Sequence, residues 1–220
     1  MADYLKQFET LFQALADNPN INTTNLHHRP GLSTEDLSAI SEKYQVDIPS
    51  PVAKFYRQMN GAGLEWEVGR EITINPLSKV LPDALWGSFL IHDLDTLLGG
   101  SADYPVWEGL LWFDDPELGP QNEHKRLRPF DFFAEDDTEC ACLFVNHGKL
   151  TTTVYLHSVE DGIRPLSIDL QTYIDLLIAS RGFYGWQTAY FDRSSRNYER
   201  LMHFVPQIFP DADMSLFSYQ

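Results

Sequence analysis

Positive charge is in short supply. Sixteen Lys and Arg face 32 Asp and Glu, for a formal net charge of −16. A phosphate backbone is bound through a basic surface, so this balance argues against nucleic acid as a ligand. It argues equally against docking on an anionic membrane. Cysteine is nearly absent: Cys140 and Cys142, one residue apart, are the only two. Two thiols make no disulfide framework, and at that spacing on a strand they bridge only with strain. No run of about 18 apolar residues is present to span a membrane. The start, Met-Ala-Asp-Tyr-Leu-Lys-Gln, has no basic segment followed by an apolar one, so no secretory signal is expected and the expected location is the cytoplasm. Gly-x-Ser-x-Gly, the Walker-type loop, Gly-x-Gly-x-x-Gly and His-Glu-x-x-His are all missing, as are internal repeats and low-complexity tracts. No catalytic residue, metal ligand or cofactor is assigned, and the expectation is a protein that is not an enzyme.

What is there is a folding chain. Of 220 residues, 43% are hydrophobic and 13% aromatic, enough for one sizeable core rather than a disordered segment. The excess of acid keeps such a protein soluble and would draw in a basic protein partner quickly.

The stretch from Ile48 to Trp66 organises the rest. Ser50 and Pro51 mark a helix start, and Val52, Phe55, Tyr56 and Met59 form one apolar stripe at helical spacing. Asn60-Gly61 supplies a left-handed stop, after which Leu64 and Trp66 alternate with Glu65 and Glu67 as a half-buried strand. Before it, an amphipathic helix is predicted over residues 3–16, with Leu5, Phe8, Phe12 and Leu15 on one face, then a polar loop over 20–31. His27 and His28 fall in that loop and are read as solvated rather than as metal ligands. Ser33-Thr34-Glu35-Asp36 starts a second helix running to about Tyr44.

After the organising stretch, Arg70 to Ile74 alternates as a strand and Ser88 to Ile91 reads as a short one. Asp93-Leu94-Asp95 opens a helical turn or two closed by Gly99-Gly100, its acids read as caps rather than metal ligands. A strand is expected at Gly109 to Phe113. The clearest strands follow at Leu127 to Phe133, Glu139 to Val145 and Leu150 to His157, with Asn146-His147-Gly148-Lys149 as a tight hairpin turn. The second is apolar on both faces, which places it centrally in a sheet, with Cys140 and Cys142 as small strand hydrophobes. Asp161-Gly162 is a further turn. Helices are predicted over 167–180 and 187–204, the latter ended by Pro206 and Pro210.

A Ser/Thr-capped helix, then Val-Asp-Ile-Pro, then a helix ending in Met-Asn-Gly and followed by Leu-Glu-Trp, resembles the start of a Smi/Knr-type domain of the SUKH superfamily. The residues that carry the resemblance are Ile48, Pro49, Phe55, Tyr56, Asn60, Gly61 and Trp66, joined by the closing run Arg181-Gly182-Phe-Tyr-Gly-Trp186-Gln. It covers residues 33–187. Residues 1–32 are then an N-terminal helix and loop, and 188–220 a helical extension packed on the same domain. The resemblance implies an α+β fold, a mostly antiparallel sheet with helices packed on one side. The order of elements read above, helices, then strands, then helices, agrees. For function it implies a non-enzymatic binder: an immunity protein neutralising a toxin of a bacterial polymorphic toxin system, often a nuclease, or alternatively a regulator and scaffold of cell-wall assembly.

The acids cluster. Between residues 101 and 140, eleven face three basic residues, in two sharp patches: Asp114-Asp115-x-Glu117 and Glu135-Asp136-Asp137-x-Glu139. Trp107 and Trp112 lie close by. Aromatics that anchor beside acids that steer suit a protein interface, and these nine residues are the expected partner-facing surface, the partner being a basic toxin domain. A metal-dependent hydrolase using the same acids is the rival reading, and a bound divalent ion is its signature.

Overall fold

A computed structural model describes residues 3–69, 73–77, 85–103, 105–110, 113, 122–133 and 139–218. The chain is mixed α+β with an eight-stranded antiparallel sheet. Its strands are β1 (Ile21–Pro30), β2 (Met59–Val68), β3 (Trp86–Ile91), β4 (Leu127–Phe132), β5 (Glu139–Asn146), β6 (Lys149–Leu150), β7 (Thr153–Ser158) and β8 (Gly162–Asp169). The strand order is β1-β2-β3-β4-β5-β7-β8, with β6 paired to β5. The helices are α1 (Tyr4–Ala16), α2 (Thr34–Tyr44), α3 (Ser50–Gln58), α4 (Leu94–Gly99), α5 (Leu170–Ala179), α6 (Trp186–Phe191), α7 (Arg196–Ile208) and α8 (Ser215–Ser218). None of them is long and apolar enough to cross a membrane.

Two compact units share the chain. One comprises Met1–His27, Gly63–Phe89 and Gln171–Gln220, the other His28–Ala62 and Leu90–Leu170.

In the first unit α1 is capped by the Asp3 carboxylate on the Lys6 N–H. It buries Tyr4, Phe8, Leu11 and Leu15, a stripe one step round from the one expected: Leu5 and Phe12 are only half-buried. Phe8 meets Phe89 edge to face at 5.7 Å, and Tyr173 packs on Trp186 at 4.9 Å. The helix expected over 187–204 is two. Asp192 ends α6, and Ser195 restarts the chain as α7 by accepting from the Tyr198 N–H. Pro206 lies inside α7 instead of ending it, in the last turn.

In the second unit the central position of β5 is as expected. Its Cys140, Ala141, Cys142 and Leu143 are all buried, with β4 on one side and β7 on the other. The tight turn is also present: His147 and Gly148 take φ of 48° and 73°, the pair of left-handed residues that a two-residue hairpin requires. The strand expected from Leu150 to His157 is broken into β6 and β7. Ser33 and Asp36 form a reciprocal capping box at the start of α2. The α3 helix starts with Pro49 at the cap and no side-chain cap bond, so Ser50 does not cap it.

Two strands went unpredicted. The run over 20–31 is β1, a mostly exposed strand at one end of the sheet, where an Asn- and Thr-rich sequence needs no apolar alternation. β8 replaces the start of the helix expected at 167. Its Pro165 argues against a central strand, and β8 is the opposite terminal strand, where proline is tolerated. Both terminal strands also carry a left-handed non-glycine residue, Asn25 at φ 56° and Ser167 at φ 58°. The strand expected at 70–74 lies partly outside the described residues, and 73–74 are irregular; 109, 110 and 113 are likewise not in a strand.

Candidate functional site

The first unit holds an open patch of sheet. Alternation along β2 sends Leu64 and Trp66 into the core and Glu65 and Glu67 to solvent. The Trp66 indole N–H donates to the Arg181 carbonyl at 2.7 Å, and its ring meets Phe209 edge to face at 5.0 Å. Gly87 has no side chain because that indole lies against it: a Cβ there would sit 2.5 Å from Trp66 Nε1.

Arg181 and Gly182, at φ 57° and 67°, turn the chain out of α5, and the Gly182 N–H closes back on the Leu177 carbonyl. The segment then bonds to β3. Ser88 N–H donates to the Gly182 carbonyl at 2.9 Å, and Tyr184 N–H to the Trp86 carbonyl at 3.0 Å. These bonds lay Tyr184 flat on Trp86, with ring centroids 4.4 Å apart and planes at 21°.

The Val68 N–H bonds the Leu85 carbonyl, so in the antiparallel ladder Glu67 stands across from Trp86 and Glu65 across from Ser88. From β1, Thr24 Oγ1 and Asn25 Nδ2 both donate to the Glu65 carboxylate, at 3.2 and 2.9 Å. Two exposed carboxylates therefore share one sheet face with a stacked Trp–Tyr pair. Carboxylates pair with guanidinium or ammonium groups, and the flat aromatic face attracts the same cations. The patch suits a basic side chain.

The residues expected to face a partner are placed elsewhere or not at all. Asp114, Asp115, Glu117, Glu135, Asp136, Asp137 and Trp112 lie outside the described residues. Glu139 opens β5 and is half-buried. Trp107 is a core side chain, 1% exposed, and not a surface anchor. Its indole donates to the Leu97 carbonyl at 3.1 Å, and its ring packs on His92 and Phe132.

The motif residues serve the packing. In the second unit, Ile48 and Pro49 are half-buried, while Phe55 and Tyr56 are fully buried, their rings 5.1 Å apart and perpendicular. The Tyr56 hydroxyl donates to the His92 carbonyl, and burial raises its pKa above the phenolic range. Asn60 and Gly61 do not stop α3; both belong to β2. Asn60 Oδ1 accepts from the Leu94 N–H at the start of α4. Gly61, at φ 100°, passes so close to Ile91 that a Cβ would lie 2.9 Å from its carbonyl oxygen. In the first unit Trp186 is buried beside Tyr173.

Of the two acids read as caps, Asp93 is one, while Asp95 sits in the first turn of α4 as an ion-pair partner. Asp93 caps α4 at Thr96 and accepts from Arg29 at 2.5 Å, and Asp95 pairs with Lys43 at 2.8 Å. Among the described residues no three His, Cys, Asp or Glu converge as a metal site. His27 is exposed, its ring lying against Gly63 and Nδ1 2.8 Å from the Asn25 carbonyl. His92 and His157 are neutral: burial lowers the pKa of each to about 4, with Arg29 adding to the effect at His92 and His124 at His157. No family model matches the chain, and no curated protein matches it.

The patch of Glu65, Glu67, Trp86 and Tyr184 was half legible beforehand. The alternation around Trp66 marks the two glutamates as outward-facing, but Trp86 and Tyr184 join them only through long-range pairing.

Proposed function

We propose that this chain is a non-enzymatic protein-binding domain of the cytoplasm, an immunity protein that neutralises a basic toxin domain of a bacterial polymorphic toxin system. The observation that carries the reading is the juxtaposition of Glu65 and Glu67 with the stacked Trp86–Tyr184 pair on an open sheet face. A net charge of −16 brings a basic partner in by long-range attraction, and the aromatic pair supplies the flat anchor. The resemblance of Ile48-Pro49, Asn60-Gly61 and Arg181-Gly182 to Smi/Knr-type sequences points the same way.

The test is affinity capture from a lysate of the source cell at low and high salt, with mass spectrometry of what is retained, run in parallel with a Glu65→Lys/Glu67→Lys variant. A basic toxin-like protein retained at low salt, weakened by salt and lost with the variant is the expected result. Retention of nothing, or of a partner indifferent to both salt and charge reversal, overturns the reading.

A further inference from the structure

The second unit carries a pair of thiols that the proposed binding role does not use. Cys140 and Cys142 are each 0% exposed, on one face of central strand β5, with their sulfur atoms 3.4 Å apart. They are not bonded to each other. Residues two apart on an extended strand have Cα atoms about 6.6–6.8 Å apart, at the upper limit of what a disulfide spans. Closing the bond therefore requires β5 to pinch locally.

The strand is prepared for that pinch. Cys142 is registered opposite Pro129, which has no N–H to give, and the β4–β5 ladder slips register between Pro129 and Asp131, opposite Cys142 and Ala141. On the β4 side the pairing is thus already interrupted where the strand would have to bend, while on the other side Cys140, Ala141 and Cys142 stay in register with His157, Leu156 and Tyr155 of β7. The thiolate is the form of a cysteine that reacts.

We infer that Cys140 and Cys142 form a redox pair in which a small peroxide closes an intrastrand disulfide that bends β5 at the Pro129 bulge. One of the two cysteines attacks, as its thiolate, one oxygen of hydrogen peroxide, breaking the O–O bond, and becomes a sulfenic acid as the other oxygen leaves as water with a proton. The neighbouring thiol then attacks the sulfenic sulfur, the S–S bond forms, and the hydroxyl leaves with the thiol proton as a second water. Two thiols are oxidised and one peroxide is reduced to two waters. A small oxidant is required because the sulfur atoms are buried. The product is strained, so ordinary thiols reduce it readily.

The experiment treats the intact protein with hydrogen peroxide, denatures it in an alkylating agent and weighs it. The expected species is two mass units lighter than the reduced chain, takes up no alkylating agent, and returns to two alkylated cysteines after incubation with reduced glutathione. Its thermal midpoint is lower than that of the reduced protein. Cys140→Ser and Cys142→Ser variants each lose the species. The wild-type mass shift decides the matter even where a variant does not fold. Two unreacted thiols at peroxide levels that oxidise a control dithiol overturn the inference. So does a sulfinic acid on either residue without loss of two mass units, or a zinc ion in the purified protein that protects both thiols.

Discussion

The Trp66 indole N–H reaches the Arg181 carbonyl across 115 residues of sequence, at 2.7 Å. This one bond ties the strand that displays Glu65 and Glu67 to the turn that delivers Tyr184 onto Trp86. Replacing Trp66 with Phe keeps a ring in the core but strands the Arg181 carbonyl. The expected loss is about 2 kcal/mol of unfolding free energy, read from urea denaturation, and Trp66→Ala should cost about 3–5 kcal/mol. A Trp66→Phe protein as stable as the parent would show that the bond contributes nothing.

Charge reversal on the open face should leave the fold alone. Glu65 and Glu67 are exposed, and the Thr24 and Asn25 bonds to Glu65 compete with water. Glu65→Lys/Glu67→Lys is expected to unfold within about 1 kcal/mol of the parent while slowing association with a basic partner and flattening its salt dependence. Reversing Asp136 and Asp137 is the matched comparison, since those acids were the sequence-based expectation for the same role.

Asn60 and Gly61 make separable contributions. Asn60→Ala removes a helix-start bond to Leu94 and should cost about 1 kcal/mol. Gly61→Ala places a Cβ at φ 100° and 2.9 Å from the Ile91 carbonyl oxygen, so the larger loss, about 1–3 kcal/mol, is expected there. Thermal melts of the two variants give the order directly, and a Gly61→Ala midpoint above that of Asn60→Ala contradicts it.

Stability should fall in mild acid. Burial lowers the pKa of His92 and His157 to about 4 in the fold, against 6.5 in an open chain. Between those values the unfolded chain binds protons that the folded one does not. The contribution is thus complete above pH 6.5 and is lost as pH drops toward 4, by up to about 1.4 kcal/mol per pH unit for each residue. His92 lies against Trp107 and Phe132, with Nε2 buried and without a hydrogen-bond partner among the described residues, so His92→Phe should flatten the slope and leave stability at pH 7 unchanged or raised. A drop in unfolding free energy between pH 7 and pH 5, read from urea titrations, that is equal in the parent and the His92→Phe variant would exclude His92 as a source.

Elements with strong local signals were legible in the sequence. The Ser33 capping box, the central apolar β5 and the hairpin turn at His147-Gly148 follow from local chemistry. β1 and β8 were not, because a terminal strand exposed to water needs neither apolar alternation nor freedom from proline, the two cues that mark a strand. Asn60-Gly61 has the composition of a helix stop, yet what it satisfies is the N–H of Leu94, 34 residues on. The open patch was hidden for a similar reason. Nothing local to Trp86 or Tyr184 says that they stack across from Glu67.

On the proposed binding role, the terminal strands have a bearing on how recognition can change over time. One carries Asn25 in a left-handed kink and ends at Pro30; the other carries Pro165 and a kinked Ser167. Such features discourage a foreign strand from extending the sheet through its backbone, which is a sequence-blind mode of attachment. What remains is contact through side chains. A surface read that way can be rewritten residue by residue at Glu65, Glu67, Trp86 and Tyr184 while the hydrogen bonds from Trp66, Gly182 and Tyr184 N–H, which hold the scaffold, stay as they are. New specificity can then arise by substitution, without the protein having to refold around it.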